Sequence, residues 1–96
     1  GRHIAPLQLA LRAQQGAGNW DEVLHIARQL EKHDALAPDA AQAVKLQAHR
    51  ANIFQRRGDA SGLLEYDRAL PIAERTPGVA ALLAEASVEA GAESVP

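Results

Sequence analysis

An all-α fold follows from three features of this 96-residue sequence. Apolar residues recur at helical spacing along most of its length, and nothing alternates with period two for long enough to make a strand. Two stretches, Gly18-Asn19-Trp20-Asp21-Glu22-Val23-Leu24 and Gly58-Asp59-Ala60-Ser61-Gly62-Leu63-Leu64, each set a glycine and a small polar residue between two such segments. A glycine at positive φ ends one helix, and the Asn or Asp behind it can cap the next. Prolines supply the remaining punctuation. The prediction is five helices joined by short turns as antiparallel neighbours.

Pro6 suits a first helical turn. Behind it Leu7, Ala10, Leu11 and Gln14 fall on one face, with Ala13 and Ala17 alongside, until Gly16-Ala17-Gly18 stops the first helix. Asn19 is the expected N-cap of the second helix, with Glu22 at the acidic position of a capping box. Trp20, Val23, Leu24, Ala27 and Leu30 form its apolar stripe, and Trp20 is expected to close the first helix pair. Arg28, Glu31 and Lys32 face away, and Lys32-His33 suits the negative end of the dipole. Residues 34–37 read as a loop. Pro38-Asp39 opens a longer third helix over about residues 38–57, with Val44, Ala48, Ala51 and Phe54 in a mixed pattern, and Gly58 ends it. Asp59 starts a fourth helix carrying Leu63, Leu64, Tyr66 and Leu70, which Pro71 should end or kink. Thr76-Pro77 is a cap and first-turn pair. Val79, Leu82, Leu83 and Ala86 then carry a fifth helix to Gly91, followed by a frayed, flexible tail over 92–96.

The length corresponds to one helical domain, and the lack of methionine suggests a piece excised from a longer chain. The apolar stock is mostly Ala and Leu, with Trp20, Phe54 and Tyr66 the only aromatics, which suits closely approached helices rather than a wide sandwich. With no cysteine there is no disulfide, zinc-thiolate site or iron–sulfur cluster. A net charge of −2 leaves no electrostatic footprint for nucleic acid. No apolar run approaches the roughly 20 residues needed to span a bilayer. Membrane association is expected only through segments outside this chain.

Gly18 and Gly58 lie about 40 residues apart, and Gly58 and Gly91 about 33, near the tetratricopeptide period of 34. Set on that repeat, Trp20 falls on the large residue after the turn. Val23 and Leu63 stand where the repeat keeps alanine, the second turn lacks the aromatic, and the intervening helix is longer than the norm. A closer resemblance covers most of the chain. Leu7-Gln8-Leu9-Ala10-Leu11-Arg12, the Gly18-Asn19-Trp20 turn, Leu30-Glu31-Lys32 and Gln47 to Ala51 resemble the tetratricopeptide region of the proteobacterial HemY family. So does Leu70-Pro71-Ile72-Ala73-Glu74-Arg75. The resemblance implies a short right-handed solenoid of helical hairpins. It further implies an inner-membrane protein, anchored by two N-terminal helices, that is associated with late steps of haem synthesis. The cytoplasmic side is the expected one. This family is distinct from the flavin-dependent oxidase that shares its name, and no catalytic or metal residue is carried over from it.

A haem link draws attention to His3, His25, His33 and His49, since neutral imidazole ligates iron. No two of them share the i, i+4 spacing, and there is no Cys-x-x-Cys-His motif, so ordinary surface or boundary positions are the expectation. Asp21-Glu22 lie in a first turn, where acids favour the dipole. Glu65 and Asp67 form a second carboxylate pair without a defined cleft. Ser61 and Ser87 lack a glycine elbow and a His at recognisable spacing, and Gly16-Ala17-Gly18 lacks the rest of a phosphate loop. No nucleophile, base and orienter come into reach by spacing, so no enzymatic activity, cofactor or metal is expected.

The polar set of greatest interest is Lys45, Asn52, Gln55 and Arg56 on the third helix, with Arg12 and Gln8 on the first. In a tetratricopeptide array these would line the concave groove and hold an acidic peptide or a C-terminal carboxylate. Ala48 and Gln8 stand where further anchors are wanted, and a solvated basic face explains the same residues. The expected function is therefore a protein–protein interaction scaffold with Arg12, Lys45, Asn52, Gln55 and Arg56 as contacts, its partners including haem-synthesis enzymes. A generic adaptor in secretion or envelope assembly and a haem-binding or transfer module stay open beside it. Because two or three repeats are marginal for a solenoid, a homodimer is open as well.

Overall fold

A computed structural model describes residues 4–94, with side chains described from Ala5 to Gly91. It is all-α: α1 (Ile4–Ala17), α2 (Trp20–Lys32), α3 (Pro38–Gln55), α4 (Ala60–Ala69) and α5 (Pro77–Ser94), with a 3₁₀ turn at Ile72–Glu74 before the last. No strand occurs among the described residues. The chain divides into two compact units, one ending at Ala48 and the other beginning at His49.

In the first unit α1 packs on α2. Its core is built from the α2 stripe Val23, Leu24, Ile26, Ala27 and Leu30 with Leu11 and Ala48, and Trp20 packs against it partly buried. Gly18, at φ 74°, ends α1. Its N–H bonds to the Gln15 carbonyl while the Asn19 N–H reaches back to that of Gln14, the paired bonds of a Schellman end. Asn19 stands at the N-cap position of α2, but its side chain caps no backbone amide. It donates instead to Gln14 Oε1 at 2.6 Å, so the expected capping box is not formed by Asn19.

The end of α2 repeats the Schellman pattern without glycine. Asp34 takes the left-handed position at φ 54°. Its N–H bonds to the Glu31 carbonyl and the Ala35 N–H to that of Leu30. Asp tolerates this region better than most residues, yet its Cβ still carries a steric cost. Asp34→Gly is expected to raise stability by about 0.5–1 kcal/mol. A denaturation midpoint that is unchanged or lower would refute that strain.

The second unit joins the last turns of α3 to α4, the 3₁₀ turn and α5. Ile53, Leu63, Leu70, Val79, Leu83, Ala86 and Ala90 form its core. The helical assignment of α3 stops at Gln55, two residues before the expected end. Arg56 and Arg57 tighten into i−3 bonds to Ile53 and Phe54 before Gly58 turns at φ 81°. Asp59 then caps α4, its carboxylate accepting from the Gly62 amide at 3.0 Å. A Cβ at Gly62 would run into that carboxylate, which accounts for a glycine inside a helix.

Pro71 ends α4 as expected, with Leu70 extended. The segment behind it coils into the 3₁₀ turn and buries Glu74. Arg75 ties this turn back to α4, donating to Asp67 Oδ1 at 2.7 Å and to the Asp67 carbonyl. Thr76 caps α5 through Oγ1, which accepts from the Val79 amide. The fifth helix continues past Gly91 to Ser94, so the tail expected over 92–96 is helical at its first three positions. A mid-helix glycine costs only about 1 kcal/mol, and Ala90 beside it is buried. The remainder of that tail, 95–96, lies outside the described residues.

Candidate functional site

The last two turns of α3 carry two polar faces. His49, Asn52 and Arg56 follow one another at i, i+3 and i+7 and turn toward Tyr66 of α4. Arg50, Phe54 and Arg57, at i, i+4 and i+7, fall on a different side and lie along a groove against α5.

The first face is a buried network. His49 is 2 % exposed and Glu74 6 %. The imidazole Nε2 lies 2.8 Å from Glu74 Oε1, and Nδ1 lies 2.5 Å from Tyr66 Oη. Asn52 Nδ2 donates to the same phenol oxygen at 3.3 Å. One consistent direction runs through the set. An ionised Glu74 only accepts, so Nε2 donates to it. Nδ1 can then accept from the Tyr66 hydroxyl, whose oxygen accepts from Asn52. The His49 and Tyr66 rings meet edge to face at 5.7 Å between centroids. Arg56 lies over the Tyr66 ring at 4.8 Å and donates to the Asn52 carbonyl at 2.9 Å. Among the described residues no buried side-chain nitrogen or oxygen lacks a hydrogen bond.

This network bears on two sequence expectations. Asn52 is buried, 5 % exposed, and Arg56 is half-buried against Tyr66, so the expected groove contacts belong to the inside of the α3–α4 pair. A hydroxyl, an imidazole and a carboxylate do come within reach of one another, which spacing alone did not suggest. Their polar atoms are bonded to each other, and the network residues line neither groove described below. That arrangement locks α3, α4 and the 3₁₀ turn together.

The other expected contacts are scattered. Lys45 pairs with Glu31 at 2.5 Å and its side chain is only 11 % exposed. Gln55 and Arg12 are exposed, Gln55 on α3 and Arg12 on α1. Gln8 donates weakly to the Ala35 carbonyl at 3.5 Å. His25 and His33 are exposed on α2 and at its end, and His3 lies outside the described residues. Both ring nitrogens of His49 are engaged, so iron ligation there would break the Glu74 or Tyr66 contact. No group of three His, Cys, Asp or Glu side chains among the described residues could hold a metal ion. No described helix is long and apolar enough to cross a membrane.

Grooves open to solvent lie in the second unit. Between α4 and α5 a cavity of about 480 Å³ has Leu63, Leu70 and Leu83 at its floor and Leu64, Ala80 and Ala84 at its edges. The Asp67–Arg75 pair stands at its rim. Between α3 and α5 a smaller one, about 210 Å³, has Ile53, Leu82 and Ala86 at its floor. Arg50, Phe54 and Arg57 form one wall and Glu85 and Glu89 the other. Phe54 is 62 % exposed, with the Arg57 guanidinium 3.7 Å from its ring centroid.

Comparison with protein-family models, curated proteins and solved structures returns no match to this chain.

Proposed function

We propose that the chain is a protein–protein interaction scaffold of tetratricopeptide type, and that its docking face is the α3–α5 groove rather than the inward face of α3. The observation that carries this is Phe54. A large aromatic stands in the open between two arginines, above an apolar floor. An exposed aromatic with flanking Arg is the composition of an interface anchor. The two helix-turn-helix junctions support the repeat reading, since Gly18 and Gly58 both take the left-handed conformation between consecutive helices. By its resemblance to the HemY family, the scaffold would organise enzymes of late haem synthesis at the bacterial inner membrane.

Crosslinking in cells, with the full-length protein, tests the face. Arg50→Glu with Arg57→Glu is expected to lower partner recovery by about tenfold or more, as charge reversal at an interface does. Reversal of the exposed Arg12, in the other unit, should leave recovery intact. If the same partners are recovered from the Arg50/Arg57 variant in the same amounts, the groove is not the docking face.

A further inference from the structure

We infer that the occupant of the α3–α5 groove is a second copy of this chain, held in an isologous two-fold dimer. The inference rests on reading that groove as a docking face, and the distribution of charge carries it. Arg50 and Arg57 line one wall, Glu85 and Glu89 the other, and all four are exposed. Among the described residues none of the four is in an ion pair. A peptide of one charge sign would be attracted to one wall and repelled by the other. An uncharged apolar helix would desolvate both walls with nothing to pair them. The groove therefore selects a partner carrying both signs on two parallel ridges.

A copy of the chain meets that requirement by symmetry. A two-fold axis running along the groove lays α3 of each molecule over α5 of the other. Arg50 and Arg57 then face the partner copy's acidic ridge, and the reverse contact follows automatically. Phe54 occupies the middle of the contact. Val88, 71 % exposed, extends the apolar area along an adjoining depression that shares Glu85 and Glu89. An apolar centre with a charged rim is the usual anatomy of such an interface.

Sedimentation equilibrium on the 10.2 kDa chain should show the mass rising toward twice that value with concentration. It should fall back as salt is raised toward about 1 M, where the Debye length shrinks to about 3 Å and exposed rim pairs are screened. Arg50→Glu/Arg57→Glu and Glu85→Arg/Glu89→Arg should each weaken self-association by about tenfold or more. An equimolar mixture of the two variants should restore it as a one-to-one heterodimer, detected by native mass spectrometry. Far-UV circular dichroism checks that both variants fold. A wild-type chain that stays monomeric to millimolar concentration overturns the inference, as does a dimer untouched by either variant. A mixture that remains monomeric overturns it too. If the wild type is monomeric but Arg50→Glu/Arg57→Glu abolishes crosslinking to another protein, the dimer is lost and the docking face stands.

Discussion

Glu74→Ala is expected to destabilise the second unit by about 3 kcal/mol, among the largest effects of any single substitution in this chain. The carboxylate is buried and accepts from an imidazole that is itself buried, so removing it strips Nε2 of that acceptor where water does not replace it. Glu74→Gln separates two contributions. The amide oxygen keeps an acceptor for Nε2 but removes the charge. If Gln recovers most of the loss, the pair works as a hydrogen bond to a neutral imidazole. If Gln is as damaging as Ala, the ring is held as imidazolium. Chemical denaturation followed by circular dichroism gives the free energies, and a loss below about 1 kcal/mol for Glu74→Ala, the level of an exposed pair, would show that the network contributes little.

Leu30→Ala should cost about 4 kcal/mol in the first unit, more than Leu63→Ala in the second. Both side chains are almost wholly buried, at 0 % and 1 % exposure. They differ in what surrounds the space left behind. Leu63 lies at the floor of the 480 Å³ groove, so its truncation deepens an existing opening and loses little beyond the transfer free energy of the methyl groups. Leu30 packs within the closed core around Val23, Ala27 and Ala48, where truncation adds an empty cavity to the same transfer loss. The single tryptophan, Trp20, packs on that core and reports the first unit by fluorescence. Equal costs for the two substitutions would mean that the first core collapses around the gap.

Much of this fold is legible in local sequence. Gly18, Gly58, Pro38, Pro71 and Thr76-Pro77 mark helix ends because backbone sterics act on residues next to one another. The end of α2 is less visible, since Asp34 does there what glycine does elsewhere. The 3₁₀ turn and its buried Glu74 could not be read at all. A charged residue in a proline-bounded connection looks solvated, and its imidazole partner lies 25 positions earlier. A usable signal did exist: His49, Asn52 and Arg56 stand at i, i+3 and i+7, and a polar stripe of that spacing needs a common partner. Alignment on a repeat instead turned Asn52 and Arg56 outward. The α3–α5 groove is illegible for the complementary reason. Phe54 reads as one more apolar residue of the helix, because periodicity assigns faces without saying which of them a neighbour covers.

The chain from Asn52 through Tyr66 and His49 to Glu74 bears on rotational uniqueness as well as strength. An alanine-rich helix such as α3 offers a neighbour nearly the same smooth surface at several azimuths, and turning it about its own axis changes buried apolar area little. Directional hydrogen bonds remove that degeneracy. Rotating α3 by one residue's worth, about 100°, would carry His49 away from both Tyr66 and Glu74 and break both of those hydrogen bonds. A single azimuth satisfies every donor in the chain. The same angle that points His49 inward sets Arg50, Phe54 and Arg57 along another side of the helix, so the buried hydrogen bonds determine which residues the protein presents to its surroundings.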